Sequence, residues 1–275
     1  MDFFAKLDAA VTTNNSLLCI GLDPNIEMLP EHLRADDSAY LKFNKGIIDA
    51  TADLVSAYKP NSAFYEARGA AGIEELKQTC EYIHQKYPAI PIILDCKRGD
   101  IGSTNDQYAT FAFDYIGADA ITIQPYMGRE AVQPFLDRSD KGIIILLRTS
   151  NAGSGELQDL DVGGKKLLLR LLDNIQSSWN KNDNCAVVVG ATMPDELAEV
   201  RAVAGDDLTF LVPGVGAQGG DVEATVKGGI NSAGRGIIIN SARDIIYASS
   251  GQDFAEAART RAAQVRDEIN IYRSK

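Results

Sequence analysis

Two histidines and one tryptophan are all that 275 residues contain of those types, and the four cysteines are scattered. His32 lies in the polar segment LPEHLRAD, and His84 sits in the helical pattern IEELKQTCEYIHQKYP, where a surface position is expected. Neither adjoins a candidate nucleophile or metal ligand. This excludes a Ser-His-Asp triad or a His-rich metal site and leaves acid–base work to Lys and Asp. Cys19, Cys80, Cys96 and Cys185 show neither metal-ligand spacing nor disulfide density. Three of them lie in or beside apolar runs and read as small buried hydrophobes, as expected of a reduced, cytoplasmic protein. A basic surplus is also missing: 27 Lys and Arg face 38 Asp and Glu, a net charge of −11. Nucleic-acid binding needs a basic stripe, so no such partner is expected. An anionic substrate would need a local cationic pocket set against the overall field. No apolar run approaches the roughly 20 residues of a membrane span. The opening MDFFAKLDAAV lacks the basic and apolar regions of a secretory signal. There is no low-complexity tract or run of like charge, which argues against disorder.

What the chain does have is regular alternation. Apolar, β-branched runs occur at 17–23, 56–60, 90–97, 120–125, 142–150, 185–192, 209–216 and 236–242. Between them lie AYLKFNKGIIDATADLV, GIEELKQTCEYIHQKY and TNDQYATFAFDYIG, with apolar residues three and four apart, the spacing of amphipathic helices. Strands this continuously apolar are buried on both faces, which indicates a parallel sheet. Eight strand–helix alternations in this length fit an α/β fold of the (β/α)8 TIM-barrel type, with an open α/β sheet as the alternative. No linker divides the chain, so residues 1–275 read as a single barrel domain.

The run IPIILDCKRGDIGST, residues 90–104, ends by placing Asp95, Lys97, Arg98 and Asp100 within six residues. Residues two apart on a strand face the same way, so Asp95 and Lys97 project together. In isolation this pattern reads as a solvated strand end with a salt bridge. Barrel active sites, however, sit at the C-terminal ends of the strands. There the sequence also places Asp23, Lys59, Arg148-Thr149-Ser150, the segment PGVGAQGG from Pro213, and Asn240-Ser241-Ala242-Arg243. That many polar ends on one rim are hard to explain structurally. Residues 214–219 spell G-x-G-x-x-G, which permits a dinucleotide site. No acidic residue ends the following strand, as a ribose partner would require. The competing reading is a loop whose backbone N–H groups, with Arg243, cradle one phosphate.

The segment D-C-K-R-G-D-I-G-S-T resembles the D-x-K-x-x-D-I-x-x-T signature of the orotidine 5'-phosphate decarboxylase family. The resemblance extends to G-L-D-P, Y-K-P-N, R-T-S-N, P-G-V-G-A-Q-G-G and N-S-A-R, in order from residue 21 to 243, and is similar to the longer bacterial (type 2) branch. It implies cofactor-independent decarboxylation of orotidine 5'-phosphate to uridine 5'-phosphate in pyrimidine synthesis, with no metal. Lys97 is implied as proton donor, held with Lys59 by Asp95 and Asp100. Asp23 and Lys59 are implied at the ribose, and Ser150 and Gln218 at the pyrimidine. Gln218 and Arg243 fall at the phosphate, and Pro213, Asn240 and Ser241 in the rest of the substrate-binding set. Asp100, Ile101 and Thr104 are implied to reach a neighbouring subunit's site, making a homodimer with shared active sites. Thr104 also reads simply as a helix-start residue. Sugar-phosphate decarboxylases and aldolases with the same barrel use a metal and lack the lysine ending strand two, so Lys59 separates the readings. A barrel that binds a nucleotide without turnover is the non-enzymatic alternative. The segment 151–184 reads as an ordered subunit-contact loop followed by a helix.

Overall fold

The computed structural model describes residues 1–214 and 221–273. Eight strands form in the places the apolar runs predict: β1 Leu18–Leu22, β2 Ala57–Pro60, β3 Ile93–Arg98, β4 Ala120–Ile123, β5 Gly142–Arg148, β6 Cys185–Val189, β7 Thr209–Pro213 and β8 Ile237–Ser241. All neighbouring pairs are parallel, in the order β2-β1-β8-β7-β6-β5-β4-β3. The two ends of this sheet meet through two isolated bridges, Tyr58 with Ile92 and Asn61 with Asp95, which close the barrel. An open sheet is therefore excluded. Runs such as GIIILLR and CAVVV are buried on both faces, one side filling the barrel and the other meeting helices.

Helices alternate with the strands where three- and four-residue spacing marks them, as at Ala39–Thr51 and Gly69–Lys86. Their starts carry local signals. Asp221 accepts the Ala224 N–H ahead of the helix Val222–Gly229, and Pro194 opens the helix Pro194–Ala204 with Asp195 and Glu196 in its first turn. The TNDQYATFAFDYIG pattern differs from a uniform helix: Gly102–Ala109 is α-helical, and Thr110–Tyr115 widens into a π-turn. All four cysteines are buried, and burial pushes the thiols of Cys19, Cys96 and Cys185 up to about 12. No described helix is long and apolar enough to cross a membrane.

The N-terminal helix Phe3–Thr13 packs at the end of the barrel where the strands begin. The Phe3 N–H donates to Asp140 O, and the Lys6 ammonium sits 2.9 Å from Asp119. His84 belongs to this end as well: it is half-buried, 3.6 Å from the Asp119 carboxylate, not a free surface residue. Gly142 opens β5 beneath the Phe3 ring. A Cβ there would come within 2.3 Å of that ring and 2.8 Å of the Ala120 Cβ. Gly142→Ala should therefore cost about 1–3 kcal/mol by overpacking and lower Tm by roughly 2–4 °C for each kcal/mol. The affinity for a ligand at the opposite, C-terminal rim should not change. Thermal melts with and without such a ligand check this.

Candidate active site

The C-terminal ends of the strands surround a cavity of about 820 Å³. Asp23, Lys59, Asp95, Lys97, Ser150, Pro213, Asn240 and Arg243 all line it. Eight of the residues singled out in the sequence thus meet in one space, brought together by strand register.

Its most charged wall lies across the β2/β3 seam. Lys59 Nζ donates to Asp95 Oδ2 at 2.8 Å and Lys97 Nζ to Asp95 Oδ1 at 2.6 Å. Burial alone would push the Asp95 carboxyl up, but the charges and hydrogen bonds of the two lysines hold it well below the usual carboxylate range. Burial would likewise neutralise Lys59, which is 3% exposed; the negative charges of Asp95 and Asp23 outweigh it and raise the ammonium's pKa. Lys97 differs in being half-exposed, its head open to the cavity. Its backbone is left-handed, with φ of +44°, where β3 slips register against β4. A non-glycine residue held there stores strain of order 1–3 kcal/mol. Beyond it the chain turns through Gly99, where a Cβ would meet the Gln124 Cβ and carbonyl oxygen at 2.9 Å each.

Asp23 ends the loop side of β1. Burial pushes its carboxyl up against the opposing pull of Lys59, and its Oδ1 has no hydrogen-bond partner among the described residues. Tyr247 braces its backbone, donating its hydroxyl to Asp23 O at 3.1 Å and accepting the Asn25 N–H at 2.7 Å. Ser150 lies against Gly190, where a Cβ would stand 3.0 Å from the Ser150 Cβ. Asn240 also presents an Oδ1 without a described partner, whereas Ser241 is buried and does not reach the cavity. Arg243 opens the short helix Arg243–Ile246 at the cavity edge, and the adjacent Asp244 is already paired with Arg261. Gln218 lies outside the described residues, as does most of the glycine-rich segment that contains it.

Two groups stand apart from the cavity. Arg148, counted at the rim from its place in the sequence, turns away from it, buried between Glu196 and Asp159. Asp100, Ile101 and Thr104 do not line the cavity of their own chain. Asn105 holds this turn, accepting the Asp100 N–H and donating to Asp100 O and Ala131 O. Ile101 is 53% exposed.

Several further residues line the cavity without having been given a role in the sequence. Asn61 belongs to Y-K-P-N and caps the helix Ser62–Glu66 while facing the cavity. Thr122 sits within an apolar strand. Gln158 comes from the segment after β5, whose short helices cover the rim; it accepts the Thr149 N–H and donates to the Thr149 hydroxyl. Among the described residues, no group of three His, Cys, Asp or Glu side chains is placed to hold a metal ion.

The family model of the orotidine 5'-phosphate decarboxylase / HUMPS family matches residues 16–259. An orotidine 5'-phosphate decarboxylase of Azoarcus sp. (strain BH72) is 52% identical over 273 residues, covering 99% of this chain and all of that protein. One from Cellvibrio japonicus is 50% identical over the full length of both. The solved structure of Leishmania donovani OMP decarboxylase superposes with a TM-score of 0.86 at 38% identity, covering both chains completely. Leishmania donovani UMP synthase gives 0.88 at 40% identity, with this chain covering 57% of it. With the lysine–aspartate array and the barrel rim, these matches lead to one conclusion: the chain belongs to the orotidine 5'-phosphate decarboxylase / HUMPS family.

Proposed function

We propose that the cavity binds orotidine 5'-phosphate and releases CO2 and uridine 5'-phosphate, and that the Lys59–Asp95–Lys97 array carries the chemistry. Breaking the bond from C6 to the carboxylate leaves an electron pair on C6, in the ring plane, with no adjacent carbonyl to delocalise it. A fixed ammonium beside C6 stabilises that pair and then supplies the proton that forms the new C–H bond. Fixed charges in a water-poor site do this without reorganising at the moment of reaction. Lys97 is the donor in this reading because its side chain is half-exposed at the cavity, whereas that of Lys59, though also at the cavity wall, is only 4% exposed. Asp95 accepts a hydrogen bond from each ammonium and offsets their mutual repulsion.

Substrate contacts divide along the rim. Asp23 and Lys59 take the ribose hydroxyls, Ser150 and Gln218 the pyrimidine edge, and Gln218 with Arg243 the phosphate. Pro213 and Asn240 complete the wall, with Ser241 behind them. The phosphate is remote from C6, so its binding energy serves to position and desolvate the reacting ring. Asp100, Ile101 and Thr104 enter the site of a second copy, making a homodimer. The exposed Ile101 side chain is free to make an apolar contact there. A reducing cytoplasm suits the four buried free thiols.

The direct test is Lys97→Ala. Removing both charge and proton should lower kcat by at least about 10⁴-fold, the upper range for a general acid, while affinity for uridine 5'-phosphate stays within tenfold. A retained kcat would reduce the array to a salt-bridged strand end. A second expectation concerns Asp23, whose folded-state pKa lies above 3.8. Stability from such a group is present below its unfolded pKa and lost as pH rises through the folded one. At neutral pH the buried carboxylate is therefore a net cost. Asp23→Asn should raise Tm at pH 7 and weaken substrate binding, and the gain in Tm should vanish in acid melts below pH 3.8.

A further inference from the structure

Asp95 and Lys97 owe their geometry to a residue on the next strand. Thr122 lies in β4, 1% exposed, with its side chain at the cavity wall. Its Oγ1 accepts two backbone N–H groups, those of Cys96 at 3.0 Å and Lys97 at 2.9 Å, and donates to Asp95 Oδ1 at 2.9 Å. A hydroxyl has one proton and two lone pairs, and all three are used here. The two N–H groups belong to the stretch where β3 loses register with β4. Lys97 also holds a left-handed backbone conformation that a non-glycine residue keeps only when its surroundings impose it.

We infer that Thr122 is a positioning residue for the reaction: its hydroxyl pins the left-handed turn at Lys97 and orients the carboxylate that holds both ammoniums. The inference rests on the decarboxylase reading above. No other side chain among the described residues bonds the backbone of Cys96 or Lys97 and the Asp95 carboxylate together. Gln124 contributes a longer contact, its amide donating to Lys97 O at 3.4 Å. Without the hydroxyl, two buried donors lose their acceptor, and Asp95 Oδ1 keeps only Lys97. The turn then relaxes and carries the Lys97 ammonium away from the reacting carbon. The phosphate contacts come from other strands, and Lys59 keeps its own bond to Asp95 Oδ2, so substrate affinity is largely retained.

Thr122→Val keeps the branched shape and removes the hydroxyl, and Thr122→Ser keeps the hydroxyl and removes the branch. A displacement of about 1 Å in a catalytic group costs about 10²-fold in rate. Thr122→Val should therefore lower kcat by tenfold or more, with affinity for uridine 5'-phosphate changed less than threefold. Thr122→Ser should recover most of the lost rate. Ile121→Val, trimming the neighbouring buried residue of β4, should lower Tm without that loss of kcat. Should Thr122→Val fail to fold, Thr122→Ala, which leaves room for the backbone to settle, is held to the same limits. A fall in kcat below tenfold overturns the inference, as does a fall matched by equal loss of affinity or one that serine does not rescue. A wild-type protein without turnover overturns the decarboxylase reading and this inference with it; an active wild type beside an equally active Thr122→Val overturns this inference alone.

Discussion

One carboxylate joins the two ends of the barrel sheet. Asp95 takes Lys59 from β2 on one oxygen, and Lys97 and Thr122 on the other. Between β2 and β3 the backbone contributes only isolated bridges, one of which involves Asp95 itself. The seam that closes the barrel is thus also the charged wall of the cavity. Removing one partner from such a buried group leaves uncompensated charge, typically at a cost of about 3–5 kcal/mol. The catalytic proposal and the integrity of this seam therefore depend on the same contacts.

The proposed arrangement separates most of the substrate-holding groups from the group that acts on it. The groups proposed to bind the substrate are spread round the rim on β1, β2, β5, β7 and β8, and the ammonium proposed to act at C6 stands on β3. Strain at Lys97 and burial of Lys59 and Asp23 are local costs, carried by a large apolar core that runs through all eight strands. Active sites commonly keep such strained or desolvated groups, because a rigid scaffold over-determines them.

Much of this was legible in the sequence because its physics is local. Short Ile and Val runs alternating with helical patterns read as strands buried on both faces, and the period of two puts Asp95 and Lys97 side by side. Convergence at one rim then follows from the fold. Direction was less legible. Arg148 sits on a rim end like Lys59, yet its strand slips register and turns it toward Glu196. Thr122 was invisible, since a threonine in AITIQP is an ordinary strand residue until a bulge on the adjacent strand needs its hydroxyl. Gln158 was hidden for a similar reason: its role depends on how the segment after β5 folds back on Thr149. Asp100, Ile101 and Thr104 do not line the cavity of their own chain, so their proposed role rests on a second copy.

The central claim is that lysine ammonium groups alone supply the charge and the proton. Its most direct test follows loss of the orotate absorbance as the purified protein acts on orotidine 5'-phosphate in D2O, with and without EDTA. The account predicts an unchanged rate on chelation, with CO2 released and deuterium at C6 of the uridine 5'-phosphate, delivered from an exchanged ammonium. A rate lost to EDTA and restored by Mg2+, or tight product binding with no CO2, would contradict it.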